Sequence, residues 1–411
     1  MNYRIKQLYN IIENLKWNLY TTMALIRERR NPNVWLFGAW MGEKFADNSR
    51  YLFQYLHDNK SKYGIEDVIW ASRNPKVVEE LLSMGYHSVL IGTKESRTAH
   101  LTAKVHIICN SDGNNGSKGD IDTRFSSNAI RINLWHGVAI KACGRLKNGN
   151  TNSKFRRFIH ESIVVPLSTP GHWKKCYFLA TSSENERVIH LDYNIPFNRI
   201  IRGTYPRLCE CNRLLSKEEE VIKLITSLKK SGNRIVLYLP TFRNIDLCYI
   251  LPEQTNGFNH FLSSNNIIWI EKKHSADKQQ REFHSYQNVI ALNSDFDINV
   301  IYKYIDLLVT DYSSAASDAM FWDKPTLEYC PDFQAYRNTD RGFVAPFEKY
   351  HAFPPIINPE DIQRTILERL ETSDKQRISE TKTFLFGNGP YSYEITMQAI
   401  RKIVRSKHIT T

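Results

Sequence analysis

Apolar positions along this chain alternate between two rhythms. Short apolar runs, such as Val34-Trp35-Leu36-Phe37, are each followed by a stretch with apolar residues every three or four positions. The first rhythm marks buried strands and the second amphipathic helices. Strands are expected at 34–38, 66–70, 88–91, 105–109, 131–134 and 177–181, with helices at 50–58, 75–84 and 185–190 among those between them. The segment 202–211, which contains Pro206, is the best boundary. Beyond it the alternation restarts: helix 217–230, strand 235–239, a helix near Asn259, then strands 267–271 and 289–292. Helix 298–304, strand 307–310, helix 315–321, strand 326–329 and a terminal helix at 393–405 complete the series. Strands and helices alternating at these lengths predict parallel sheets covered on both faces. The fold expected is α/β, with two doubly wound Rossmann-type domains facing each other across a cleft. Residues 1–30 form a basic helix, 31–207 one domain, 208–390 the other, and 391–411 a terminal helix and tail.

The first 30 residues carry Ile5, Leu8, Ile12, Leu15, Leu19 and Met23 at helical spacing, six Lys or Arg against Glu13 and Glu28, and Trp17 with three tyrosines between them. Such a helix can lie in the interface of an anionic bilayer, or it can pack its apolar stripe on the neighbouring domain. No apolar run is long enough to cross a membrane. A secretory signal is not expected, because the apolar core and small-residue cleavage site are missing.

The chain has a net charge of +12, which favours anionic partners: a nucleotide-linked substrate, an anionic membrane or nucleic acid. Its seven cysteines are scattered and show no zinc spacing, as expected of reduced structural thiols.

Polar residues with chemistry to offer fall where strands end, which is where doubly wound folds bind ligands. After strand 307–310 comes Thr310-Asp311-Tyr312-Ser313-Ser314, then a helix. Free N–H groups and two hydroxyls at a helix start make a phosphate site, although either serine could simply cap the helix. His136, in Trp135-His136-Gly137, follows strand 131–134 and suits a general base, with Lys141 close behind to meet an anion. Thr241 and Arg243 follow strand 235–239; Lys272, Lys273 and His274 follow strand 267–271 and suit a diphosphate. Arg341 sits in Asp340-Arg341-Gly342-Phe343 and can hold a phosphate on two bonds. Arg207, in Tyr205-Pro206-Arg207, either lends a cation or forms a turn. Residues 141–175 are a basic stretch, either a solvated loop or a flap over an anionic site. No Walker loop, GxGxxG, GxSxG or HExxH occurs. Asp295-Phe296-Asp297 resembles a metal-binding pair, but Asp297 reads as a helix N-cap, so no metal site is expected.

Taken in order, Phe45-Ala46-Asp47-Asn48, Trp135-His136-Gly137 with Lys141, Leu239-Pro240-Thr241-Phe242-Arg243, Lys273-His274, Thr310-Asp311-Tyr312-Ser313-Ser314 with Asp318, and Arg341-Gly342-Phe343 resemble the CDP-glycerol glycerophosphotransferase family. That family comprises the teichoic-acid primases and polymerases and their capsule-synthesis relatives, and the likeness spans about residues 34 to 345. The resemblance implies a GT-B-like fold and transfer of glycerol phosphate, or a similar polyol phosphate, from a CDP-linked donor to an acceptor hydroxyl, with release of CMP. It implies His136 and His274 as catalytic residues, His136 as the base. Thr241, Arg243, Lys272, Lys273, Asp311, Ser313, Ser314, Asp318 and Arg341 would hold the donor, and Lys141 and Arg207 would contact the acceptor or an anion. No cofactor is implied beyond the CDP-polyol substrate. The acceptor would be lipid-linked or an oligosaccharide, and the enzyme would sit peripherally on the cytoplasmic face of the membrane, bound through residues 1–30. The chain departs from the family pattern with Val138-Ala139 where Thr-Pro is common, Ser275 where Pro is common, and Leu208 where Asn is common, which leaves acceptor and polyol open. The rival reading is a GT-B glycosyltransferase that uses a nucleotide sugar. Nucleic-acid binding is disfavoured, because the cations sit at strand ends and not along one stripe.

Overall fold

The computed structural model describes residues 8, 9, 11–13, 15–17, 19, 20, 23, 30–110, 119–146, 159, 176–210, 213–241, 257–272, 287–292, 296–339, 342–372 and 374–406. The chain divides into two compact units. The first comprises Met1–His136, Gly149–Glu210 and Pro390–Thr411; the second comprises Gly137–Asn148 and Cys211–Gly389. Residues 137–148 group with the second unit, and both the N-terminal segment 1–30 and the C-terminal helix group with the first, where the expected division set them apart.

The first unit is built on seven parallel strands: β1 (Asn31–Phe37), β2 (Asp67–Ser72), β3 (His87–Leu90), β4 (Ala103–Ile108), β5 (Ile130–Asn133), β6 (Tyr177–Ala180) and β7 (Ile200–Arg202). Their order is β3-β2-β1-β4-β5-β6-β7. Both faces are covered, so the strands read as continuous apolar runs: Trp35, Leu36, Phe37, Val68 and Trp70 are all at most 1% exposed. Helix Pro75–Ser83 starts where the Asn74 side chain accepts the Lys76 N–H, and helix Ser183–Tyr193 where Ser182 accepts from Asn185. Arg30 ties the region before β1 to the body. Its guanidinium donates to the carbonyls of His100, Leu101, Ala103, Phe125 and Ser127. The C-terminal helix Tyr393–Ser406 is held in this unit by Thr396, whose hydroxyl donates to the Thr204 carbonyl at 2.6 Å and accepts the Thr204 N–H at 2.9 Å.

The second unit contains five parallel strands: β8 (Arg234–Leu239), β9 (Ile267–Lys272), β10 (Val289–Leu292), β11 (Leu307–Thr310) and β12 (Thr326–Glu328), ordered β10-β9-β8-β11-β12. Val236, Leu262, Trp269, Leu307, Val309, Leu327 and Ile366 form its core. A second cluster of Tyr312, Cys330, Tyr336 and Phe347, with Phe333 and Phe343 against it, lies beyond the end of β11. The segment 298–304, expected to be one helix, forms two separate 3-10 turns, Ile298–Val300 and Tyr302–Tyr304. The β-branched run Ile298, Val300, Ile301 disfavours a continuous helix, and Asp297 accepts the Asn299 N–H to start the first turn.

Both sheets change direction once. In the first, successive strands run outward from β1 to β3 and then return to β4; in the second, β8 leads to β10 and the chain returns to β11. Each therefore has a topological switch point, between β1 and β4 and between β8 and β11, where such sheets bind ligands at the strand carboxyl ends.

Candidate active site

At the first switch point, Asp120 joins the ends of β1 and β4. Its carboxylate accepts the N–H groups of Met41 at 2.8 Å, Cys109 at 3.0 Å and Asn110 at 2.7 Å. The chain packs so closely here that a side chain on Gly38 would meet the Asp120 carbonyl oxygen at 2.3 Å, so only glycine fits. Trp40, Met41, Asp47 and Trp135 all have φ between +46° and +62°. Non-glycine residues in that region cost of order 1–3 kcal/mol each, and clusters of them favour functional sites over plain scaffold.

His136 stands at this strained rim, two residues after Leu134, whose N–H donates to the Ile108 carbonyl at 2.8 Å. Its ring lies 4.5 Å from that of Trp135 and 6.4 Å from that of Trp40. The residue is half-buried, but Nδ1 is sealed from solvent with no hydrogen-bond partner among the described residues. Burial, and after it the Arg207 guanidinium, lower its pKa to about 4, against a weaker opposing bond to the Cys109 backbone. The imidazole is therefore neutral near pH 7 and able to accept a proton.

Arg207 is not an exposed cation. It lies in the 3-10 turn Pro206–Leu208 with its side chain 1% exposed, paired with Asp47 at 3.3 Å. It holds Asp47 and acts on His136 through charge. Lys141 falls in the second unit. It forms an antiparallel bridge with Phe343, flanked by Ala142 N–H to the Gly342 carbonyl at 3.1 Å and Val344 N–H to the Ile140 carbonyl at 3.0 Å.

At the second switch point, Thr241 follows β8 and Asp311 follows β11. The Thr241 N–H lies 3.1 Å from both Asp311 carboxylate oxygens, and its hydroxyl also donates to that carboxylate. Thr310 donates to the Leu239 carbonyl at 2.6 Å. These bonds lock the two strand ends together, so Thr241 and Asp311 shape the rim by binding each other. Beyond them the two serines differ. Ser313 accepts the Ala315 N–H at 3.2 Å, whereas Ser314, at the N-cap of helix Ala315–Phe321, makes no side-chain cap bond. The Ser314 hydroxyl has no partner among the described residues, and both serines are half-exposed. Asp318, in the first turn, is buried.

The aromatic cluster assembles these motifs. Tyr312 stacks on Tyr336 at 3.8 Å and donates its hydroxyl to Asp332 at 2.8 Å, and Phe343 packs 5.9 Å from the Tyr312 ring. The Lys141 ammonium lies 6.0 Å from the Tyr336 ring. Tyr312 of one motif, Phe343 of another and Lys141 thus share one cluster in the second unit. Lys272 donates to the Phe296 carbonyl at 2.5 Å and lies 4.0 Å over that ring, which commits part of its bonding capacity. Arg243, Lys273, His274 and Arg341 lie outside the described residues, as does most of the basic stretch 141–175. Asp297 caps a turn, and no cluster of metal-ligating side chains occurs among the described residues. Asp120 escaped sequence reasoning because no motif surrounds it.

A solved structure of the wall teichoic acid polymerase TagF, soaked with CDPG, superposes with a TM-score of 0.71 over 99% of this chain and 100% of that one, at 16% identity. A putative UDP-N-acetylglucosamine 2-epimerase from Listeria monocytogenes gives a TM-score of 0.53 over 92% of this chain and 97% of that one, at 11% identity. These likenesses show a GT-B-like fold. In sequence, the chain is 24% identical to a teichoic acid poly(glycerol phosphate) polymerase of Bacillus spizizenii, over 82% of this chain and 84% of that protein. It is 23% identical to a teichoic acid glycerol-phosphate transferase of Staphylococcus aureus, over 89% and 90% of the two chains. The model of the CDP-glycerol:poly(glycerophosphate) glycerophosphotransferase family matches residues 19–392, nearly the whole chain, and the chain belongs to that family.

Proposed function

We propose that this protein transfers glycerol phosphate, or a similar polyol phosphate, from a CDP-linked donor to an acceptor hydroxyl in the synthesis of a teichoic-acid-like or capsular cell-surface polymer. Family membership supplies the reaction class. The observation that carries the chemistry is the second switch point, where Thr241 and Asp311 fix the rim and the Ser314 hydroxyl stays uncommitted at the N-cap of Ala315–Phe321.

In the reaction, the acceptor oxygen attacks the phosphorus that bears the polyol. A new P–O bond forms as the bond to CMP breaks, and CMP leaves with the bonding electron pair. The acceptor proton passes to His136. Phosphoryl transfer asks little covalent chemistry of a protein and much positioning and charge stabilisation. Ser313 and Ser314 supply donors to the diphosphate, and His274, Lys272, Lys273, Arg243 and Arg341 supply donors and positive charge. An anionic substrate beside His136 raises its pKa and strengthens it as a base.

The acceptor in this reading is lipid-linked or an oligosaccharide, and the N-terminal helix rests on the anionic inner face of the cell membrane. What supports this is the way the helix packs. Trp17 and Tyr20 turn toward Phe125, at 5.5 and 6.2 Å, while Leu8, Ile12, Leu15, Leu19 and Met23 are each more than half exposed. No helix among the described residues is long and apolar enough to cross a membrane.

The test is a donor panel of CDP-glycerol, CDP-ribitol and UDP-sugars with a glycerol-phosphate-primed acceptor, reading the released nucleotide. CMP from a CDP-polyol is expected. Release of UDP or UMP from a UDP-sugar alone would establish the glycosyltransferase reading instead.

A further inference from the structure

Asn48 is fully buried, yet it caps nothing in its own helix. That helix, Asp47–Asp58, has Ala46 at its N-cap with no side-chain cap bond. The Asn48 amide reaches instead to the turn that carries His136. Nδ2 donates to the Trp135 carbonyl at 2.7 Å and to the Leu134 carbonyl at 3.3 Å, and Oδ1 accepts the Arg207 N–H at 3.1 Å. A peptide group is planar, so holding the Trp135 oxygen fixes the plane from which His136 departs. Trp135 is left-handed at φ 57°, a state that persists only where its surroundings over-determine it. The remaining restraints are its N–H, which donates to Asn133 at 2.8 Å, and its indole, packed on Phe178 and Tyr193. Asn48 is itself set by left-handed Asp47, which accepts the Asn48 N–H at 2.7 Å while pairing with Arg207.

We propose that Asn48 is a positioning residue: its side-chain amide holds the Trp135–His136 peptide and so aims the imidazole at the acceptor hydroxyl. This rests on the reading of His136 as the base. The charged group that acts on that imidazole is Arg207, which pairs with Asp47. Asn48→Ala removes neither charge, and Asn48→Asp also keeps the acceptor for the Arg207 N–H.

The experiment compares wild type, Asn48→Ala and Asn48→Asp by CDP-glycerol binding, transfer rate, and ring-nitrogen NMR titration of His136. Expected are unchanged donor binding and a transfer rate lower by about 10²-fold in both variants. In Asn48→Ala the His136 midpoint moves up from about 4 towards the free value of about 6.5, as the ring leaves its sealed position. In Asn48→Asp, which keeps the acceptor for the Arg207 N–H but loses the donors, only the rate is read, because the added charge shifts the midpoint by itself. If Asn48→Ala does not fold, Asn48→Asp decides. Lower thermal stability with rate and midpoint at wild-type values would reduce Asn48 to a scaffold residue and overturn the proposal. Should the wild-type chain not use a CDP-polyol, the reaction reading fails, and the NMR arm still decides whether Asn48 sets His136.

Discussion

Three histidines and one acid are tuned by burial more than by partners. His100, His136 and His351 are each held down at about 4, chiefly by burial. Glu328 goes the other way, up to about 7, because it is wholly buried and the Thr326 hydroxyl and Arg369 only partly offset that burial. The two effects have opposite pH signs. Below about pH 6.5 the unfolded chain protonates its histidines first, so stability falls towards pH 4, by at most roughly 3 kcal/mol for each histidine. Above the ordinary carboxylate range the unfolded chain ionises Glu328 first, so the stability contributed by that residue is present at low pH and lost as pH rises through 7. Glu328→Gln should therefore raise the melting temperature at pH 8 by several degrees and leave it nearly unchanged at pH 5. An equal shift at both pH values would show that its carboxyl is not perturbed. None of this was legible in the sequence, where Glu328 is one acid in a short strand and its burial is set by strands distant along the chain.

Elements were legible where their periodicity was long or their ends chemically marked. Strands β10 and β11 and helix Ala315–Phe321 begin and end where the pattern places them. Strand β7 was missed because three residues carry no rhythm; it exists through its pairing of Ile200 with Phe178. The N-terminal helix shows the limit of pattern alone, since an amphipathic stripe says that something covers it but not what. Here the aromatic face takes the protein side, with Arg124 4.8 Å over Trp17, and the aliphatic stripe points outward. Leu15→Glu with Leu19→Glu should abolish co-sedimentation with anionic vesicles, while transfer to a soluble acceptor stays at the wild-type rate. Undiminished sedimentation would remove the stripe as the membrane contact.

At the scale of the whole molecule, the alternation of strands and helices predicted two parallel sheets, and both share one topology with a single reversal. The candidate residues divide between the units accordingly. His136 lies in the first, and the serines follow the switch point of the second. What the pattern could not supply was the division of labour inside each rim. Thr241 and Asp311, expected to hold the donor, also bind each other, and Arg207, expected to lend a cation or form a turn, is buried against Asp47. Such pairings join residues 70 or 160 positions apart, beyond the reach of local pattern. The account assigns proton transfer to one unit and donor binding to the other, and a single pair of measurements separates them. CMP release from CDP-glycerol and the affinity for CDP-glycerol are compared in wild type and His136→Ala. The account predicts a rate lower by about 10²- to 10⁴-fold with donor affinity unchanged; near-normal CMP release in the variant would contradict it.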